Sequence, residues 1–440
     1  MERPFFMPGH LGLQAEFYQL VLAATYHADG IWGDATFDLY ARALPEGWGY
    51  LVAAGLGPLL DHLEALRFSD ADVDALRREP AMAKVQPSFW DALRRFRFHG
   101  EVWAAPEGSV VFPGEPIVRV TAPLLACTLV ETRVIQLVST STAVATRVAR
   151  MVDVAGGRSL YDFGSRRCPG PEAALLAARA AYVGGAAATT NALAAGALGV
   201  PVMGTMSDTF LAAYGDDRLA YDAFRLHFPT VGHFSLPDDD PVDGVKRFLP
   251  FKKAVQSVRI DHEDLARTAH TVRDALDRNG MQHVRILGSG NLDEHRIAKL
   301  VAVGAPVNLF AVGRGVAAGT DGGMRMAFRI AEMTRGATPT PVTRAGSAPY
   351  PGRKQVCRYA DHDVLCLESE VWSHEQMGAA PLLRPVMVEG ERVAGDPPLA
   401  DVRGARAAAV AALPAQVRRI ERPDVWPVRI SDGVAALAVG

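Results

Sequence analysis

The sequence predicts an α/β protein: a parallel α/β barrel or related sheet in the middle of the chain and a smaller β-rich layer. Three observations carry this. Strand-like and helix-like segments alternate from about residue 155 to 335, and parallel neighbours need such crossover helices between them. Residues 98–120 interleave β-formers with Pro-Glu-Gly and Pro-Gly turns, and from Gly336 the chain becomes proline-rich and returns to short β-like pieces, as compact β layers do. Finally, 440 residues exceed what one hydrophobic core usually supports.

Taken in order, Phe17, Leu20, Val21 and Ala24 give residues 14–29 a helical period. Residues 35–40 read as a strand and 57–66 as a helix. Ser69 is placed to cap a helix with Asp72 in its first turn. After the β-rich stretch, 127–152 is one long helical pattern. Strands are expected at 159–163, 200–205, 257–261, 284–287 and 309–312, alternating with helices at 171–184, 216–227, 263–279 and 293–303. No charged residue lies between Arg179 and Asp208, a length that raises the question of a membrane span. Thr189, Thr190, Asn191, five glycines and Pro201 argue instead for a buried small-residue helix, a turn and the strand PVMGTM. The tail pieces KQVCRYADHDVLCL and LLRPVMVEGERV are expected to fold back on the N-terminal β layer.

Composition narrows the function. With 46 basic and 49 acidic residues the net charge is −3, which leaves no surplus to attract a polyanion, so nucleic acid is not the expected partner. Hydrophobic residues at 49% and charged residues at 22% describe a folded protein rather than a disordered one. The four cysteines match no CxxC zinc or redox spacing. The N-terminus carries Glu2 and no apolar core after a basic start, so it does not read as a signal peptide and a cytoplasmic protein is expected.

Chemistry is expected at the strand C-terminal ends. These are DFGSRR at 162–167, GTMSD at 204–208, RIDHED at 259–264, GSGN at 288–291 and GRG at 313–315. Two are short glycine turns whose backbone N–H groups can hold a phosphate. Two supply arginines, which grip phosphate or carboxylate with a bidentate fork. Asp208, Asp261 and Asp264 add carboxylates suited to Mg²⁺ on a polyphosphate or to sugar hydroxyls. Together they suit group transfer on a phosphorylated sugar. Each signal has a plainer alternative, a tight turn or a salt-bridged edge, and the case rests on their repetition.

At these residues the sequence resembles nicotinate phosphoribosyltransferase. The resemblance lies in FYQL, ATFDLYARALP, GYLVAAGL, EGSVVFPGEPIVRVTAPLLACTLVET, DFGSRRCPGPEAALLAARAAYVGG and ILGSGNLDEHRIAKLVAVGAPVNLFAVG, over roughly residues 14–335. It implies a type II phosphoribosyltransferase: an irregular, TIM-like α/β barrel, here 126–335, and a β-rich α/β sandwich domain from 1–125 and 336–440. It also implies phosphoribosyl pyrophosphate as co-substrate, Mg²⁺, and a homodimer with shared active sites. By the same resemblance Phe163 stacks on one face of a pyridine ring and Tyr18 of the partner subunit on the other. Arg166 and Arg259 face the base or the phosphates, Asp261 the ribose, and Ser289, Gly290, Gly313 and Arg314 the 5′-phosphate. Core packing is the alternative for both aromatics. Thr190 stands where nicotinamide-using relatives carry an aspartate, so an acid is the expected acceptor.

The departures are as specific as the match. The family's phosphorylated histidine after the GTM turn is Asp208 here, so transfer is expected to proceed without obligatory ATP. Asp261-His262-Glu263 replaces the family's Asp-Ser-Gly, which puts His262 beside the ribose site, either as an acid or base or as a surface histidine beside a helix N-cap. LPDDDP, with Asp238, Asp239 and Asp240, replaces another family strand end, and Arg314 is shifted by one place. The expected function is transfer of phosphoribose to nicotinate or a related aromatic acid. Two alternatives stand beside it: a repurposed transferase using another heteroaromatic acceptor or acting in nucleotide breakdown, and a non-catalytic paralogue that binds a pyridine nucleotide.

Overall fold

The computed structural model describes residues 9–237, 240–317, 324–344, 346 and 348–439. Asp238 and Asp239 of the LPDDDP segment lie outside the described residues. The chain divides into two compact units, one comprising 1–142, 321–398 and 412–440 and the other 143–320 and 399–411.

The first unit is antiparallel at its centre. Its seven-stranded sheet runs Thr338–Pro341, Met326–Arg335, Asp34–Ala41, Pro116–Pro123, Glu101–Ala104, Arg384–Val388, Glu391–Arg392. The central strands Asp34–Ala41 and Pro116–Pro123 are buried along almost their whole length, and across the pair of Asp34–Ala41 with Met326–Arg335 Phe37 stacks on Phe328 at 5.0 Å. Met326–Arg335, in the stretch expected to continue the α/β alternation, pairs instead with Asp34–Ala41. The tail divides in the same way: Arg384–Val388 does join Glu101–Ala104, whereas Lys354–Arg358 and Asp363–Leu367 form a separate four-stranded sheet with Ala380–Pro381 and Val428–Ile430. Helix Asp70–Arg77 begins at Ser69 through a reciprocal box, with Asp72 N–H donating to Ser69 Oγ and Ser69 N–H to Asp72 Oδ2.

The second unit is built on six parallel strands in the order Ala188–Thr189, Ser159–Asp162, Leu309–Val312, Arg285–Ser289, Ser257–Asp261, His233–Ser235. By chain position this is 2-1-6-5-4-3, a ring in which first and last strands pair. Among the described residues it is open at one seam, between the second and third strands. There Ser235 Oγ donates to Met206 O at 2.9 Å.

The seam is where sequence and structure part. The expected strand 200–205 reduces to a single bridge from Val202 to Thr189, because Pro201 and Gly204 break the ladder on either side. The short strands Ala188–Thr189 and His233–Ser235 were not anticipated. The helix of this apolar stretch, Ala192–Leu198, is short and buries only Ala194. No helix among the described residues is long and apolar enough to cross a membrane.

Candidate active site

In parallel pairing, residues in register point to the same face. Gly288 marks the face towards the helices: a Cβ there would lie 2.9 Å from Leu265, in helix Leu265–Arg278. Odd-numbered residues of the strands Ser159–Asp162, Ser257–Asp261, Arg285–Ser289 and Leu309–Val312 therefore face the inside of the ring.

On one arc that inner face is polar. Arg259 Nε donates to Ser289 Oγ at 2.9 Å and its Nη2 to Asp261 Oδ2 at 2.7 Å. Ser289 Oγ in turn donates to Asp261 Oδ2 at 2.9 Å. Three neighbouring strand positions thus hold one another, with Ser289 buried and the carboxylate of Asp261 still 39% exposed. The turn after Ser289 is tight. Gly290 has φ +109°, and a Cβ there would stand 2.9 Å from Asp261 Oδ1, so glycine lets the backbone close over the carboxylate. Deeper along this arc His233 Nδ1 and Ser257 Oγ are 2.8 Å apart. Burial and the nearby Arg285 hold that imidazole below its ordinary pKa.

The other arc is apolar. Leu287, Leu309 and Ala311 form a buried cluster against which Tyr161, Phe163 and Met203 pack. Phe163 sits one residue past its strand, its N–H donating to Val312 O at 2.8 Å, half-buried over this cluster. Its position depends on Asp162, which lies in the ladder pointing away from the ring. Asp162 Oδ1 accepts from Gly164 N–H at 2.7 Å and Oδ2 from Thr189 Oγ at 2.6 Å. Burial raises the carboxyl of Asp162, and these two hydrogen bonds offset part of the rise. Gly164 and Gly313 bring the turn close: a Cβ on Gly313 would be 3.2 Å from Phe163 O.

The structure thus brings Arg259, Asp261, Ser289 and Gly290 into direct contact, and Phe163 against Gly313. Arg166 is exposed on the one-turn helix Ser165–Arg167 that follows Phe163. Thr190, also exposed, follows the short strand, its N–H donating to Asp162 O. Arg314 is exposed next to Gly313. His262 is exposed after Asp261, and its Nδ1 accepts from Asp264 N–H at 3.1 Å. Asp208 is exposed at the first position of helix Asp208–Tyr214, where a carboxylate favours the helix N-terminus and Ser207 caps it. Tyr18 belongs to the first unit, on helix Phe17–Ala28, 48% exposed, with its hydroxyl donating to Glu131 Oε2 at 3.4 Å. Sequence reasoning gave Asp162 and Thr189 no role. Their signal was a carboxylate immediately before Phe-Gly, an acceptor for the turn's own N–H.

Among the described residues no three of His, Cys, Asp and Glu converge on a metal-sized site. Mg²⁺ keeps several waters and is commonly held by one or two carboxylates together with substrate phosphates. The open carboxylate of Asp261 fits a Mg²⁺ delivered with a diphosphate, rather than a metal resident in a protein cage.

Residues 13–139 match the N-terminal domain and residues 364–438 the C-terminal domain of nicotinate phosphoribosyltransferase (NAPRTase). The chain is 36% identical to nicotinate phosphoribosyltransferase pncB2 of Mycobacterium tuberculosis H37Rv over 97% of its own length and 93% of the relative's. It is 28% identical to the Bacillus subtilis nicotinate phosphoribosyltransferase, over 97% and 94%. The crystal structure of human nicotinic acid phosphoribosyltransferase superposes with a TM-score of 0.81 at 26% identity, covering 97% of this chain and 99% of that one. Nicotinate-nucleotide pyrophosphorylase from Pyrococcus furiosus shares the fold, with a TM-score of 0.77 at 22% identity over 94% and 99%. An α/β ring with a polar and an apolar arc at its strand ends, and relatives matched along almost the whole chain, lead to one conclusion: the chain belongs to the nicotinate phosphoribosyltransferase family and is a phosphoribosyltransferase.

Proposed function

We propose that the protein transfers the phosphoribosyl group of phosphoribosyl pyrophosphate to nicotinate or a closely related aromatic acid, without obligatory ATP. The observation that carries this is the Arg259–Asp261–Ser289 network adjoining the Phe163 cluster, through Leu287 and Ser289 of one strand, inside one ring of strands. A flat, electron-poor ring suits the apolar arc. The polar arc supplies a cation for departing diphosphate and a carboxylate for the sugar. The reaction is dissociative: the C1–oxygen bond breaks towards diphosphate, positive charge develops on the ribose ring, and the acceptor's ring nitrogen closes on C1. Asp261 stabilises the cationic sugar, Arg259 and Arg166 the leaving diphosphate, and Ser289, Gly290, Gly313 and Arg314 the 5′-phosphate. Catalysis is by positioning and fixed charge rather than by a nucleophilic side chain. Mg²⁺ supplies charge neutralisation on the diphosphate. Tyr18 of the partner subunit closes the second face of the acceptor in a homodimer, and Thr190 leaves the acceptor's carboxylate unopposed by negative charge.

ATP independence rests on Asp208. An acyl phosphate there would need its own preorganised cation, and the segment SDTF offers no basic residue. The test is an acceptor screen with phosphoribosyl pyrophosphate and Mg²⁺, with and without ATP, read by product mass. Nicotinate mononucleotide is expected at equal initial rates in both arms. Single-turnover ATP hydrolysis in step with product, or label trapped on Asp208, would overturn the ATP reading. A product with a different heteroaromatic acid and none with nicotinate would move the acceptor instead.

A further inference from the structure

We propose that Cys357 and Cys366 form a reversible intrachain disulfide when the protein meets a peroxide, making their hairpin a redox-sensitive modification site. The inference rests on the hairpin alone and stands apart from the transferase reading. Eight residues separate the two in sequence, and no local motif announces them. The fold joins them. Strand Lys354–Arg358 runs antiparallel to Asp363–Leu367, with Cys357 opposite Val364 and Gln355 opposite Cys366. Positions two apart on a strand share a face, so both thiols point to the same side, with their sulfurs 3.2 Å apart. Forming a bond of about 2.05 Å asks the sulfurs to close by only about 1 Å. The other cysteines are engaged elsewhere: Cys127 with Ala35 O and Ala122 O, and Cys168 with Gly164 O.

The two thiols are not equivalent. The hydrogen bond between the two sulfurs holds the Cys357 thiol below its ordinary value, and the same contact, with burial, pushes Cys366 up. Cys357 is therefore the nucleophile and Cys366 the resolving thiol. The Cys357 thiolate attacks one peroxide oxygen, the O–O bond breaks, and the leaving hydroxide takes a proton to become water. The resulting sulfenic acid is attacked at sulfur by Cys366, which loses its proton as the S–S bond forms and a second water departs. Two thiols and one hydrogen peroxide give one disulfide and two waters.

Both sulfurs are without exposed surface, packed with Val364 and Ala379 under Tyr359 and Val371. Tyr359 Oη shares a 2.8 Å hydrogen bond with His374 Nδ1, which ties this cover to helix Val371–Gln376. A small oxidant is thus favoured over a bulky disulfide, and the rate is set by opening of the cover.

The test uses the full chain, reduced with dithiothreitol, desalted, treated with hydrogen peroxide or glutathione disulfide, then denatured in N-ethylmaleimide and mapped by non-reducing peptide mass spectrometry. The expected result is a Cys357–Cys366 linked peptide with peroxide, reversed by dithiothreitol, formed several-fold more slowly with glutathione disulfide and several-fold faster in His374→Ala. Cys366→Ser should stop at a Cys357 sulfenic acid trapped by dimedone. Both cysteines labelled in the wild-type chain after peroxide, sulfinic acid at Cys357 without linkage, or linkage to Cys127 or Cys168 would overturn the proposal. A dimedone adduct on Cys366 in Cys357→Ser, formed as fast as that on Cys357 in Cys366→Ser, would overturn the assignment of roles.

Discussion

The two arcs of the ring are made of neighbouring strands in the same ladder, yet they are held differently. On the polar arc, side chains fix side chains: Arg259, Asp261 and Ser289 share three hydrogen bonds, and each partner constrains the other two. On the apolar arc, side chains on the outer face fix the backbone: Asp162 and Thr189 hold the turn that carries Phe163, while the ring itself rests on Leu287, Leu309 and Ala311. In the proposed reaction the first arrangement fixes charge where charge changes, and the second leaves a flat surface that any ring of suitable size can occupy. Chemistry is accordingly expected to be strict in the sugar phosphate and more tolerant in the acceptor.

That division can be broken by mutation. The largest effect is expected for Arg259→Ala and Arg166→Ala, each lowering kcat/KM for transfer by at least about a hundredfold, since losing a charged partner of a desolvated anion costs about 3 kcal/mol. Steady-state kinetics within a few fold of wild type in both would show that the anion lies elsewhere. Ser289→Ala removes two hydrogen bonds of the network and should lower kcat/KM by about thirtyfold, at about 1 kcal/mol per bond. Phe163→Ala should raise KM for the aromatic acid by about tenfold and leave KM for phosphoribosyl pyrophosphate nearly unchanged. An equal rise in both would erase the distinction between the arcs.

The smallest effect concerns stability. Burial raises the carboxyl of Asp162 in the folded protein, so the folded state binds its proton more tightly than the unfolded chain does. Its contribution is therefore fully present below the ordinary carboxylate range and lost as pH climbs through the raised value. Asp162→Asn should flatten that part of the profile of Tm against pH, measured by calorimetry. Thr189→Val, which removes a bond that lowers the pKa, should extend the loss to higher pH. A profile unchanged in both variants would assign the slope to other groups.

Much of the polar arc was legible because its residues are local to strand ends: Arg259 and Asp261 sit two apart on a strand where they alternate with Val258 and Ile260, and Ser289-Gly290 ends another. The apolar arc was legible only at Phe163. Its support depends on Thr189 lying beside Asp162, a pairing set by a two-residue strand too short to leave a hydrophobic period. His233–Ser235 escaped notice for the same reason, flanked by Gly232 and Pro237. The expected strand at 200–205 failed because apolar character does not supply backbone partners. Met326–Arg335 could not be assigned from its own pattern, since its partner Asp34–Ala41 lies nearly three hundred residues earlier.

The same long-range pairings impose a timetable on synthesis. A ring whose last strand closes on its first has all six of its described strands once Leu309–Val312 has emerged, before the first unit has all of its own. Asp34–Ala41 must wait for Met326–Arg335, and Glu101–Ala104 for Arg384–Val388. Until then two strands made early in translation carry open edges, the feature most prone to pair with the wrong chain. The parts of this protein made first are among the last to be covered, and a nascent chain halted before residue 326 carries an unfinished sheet although all six described strands of the ring are already made.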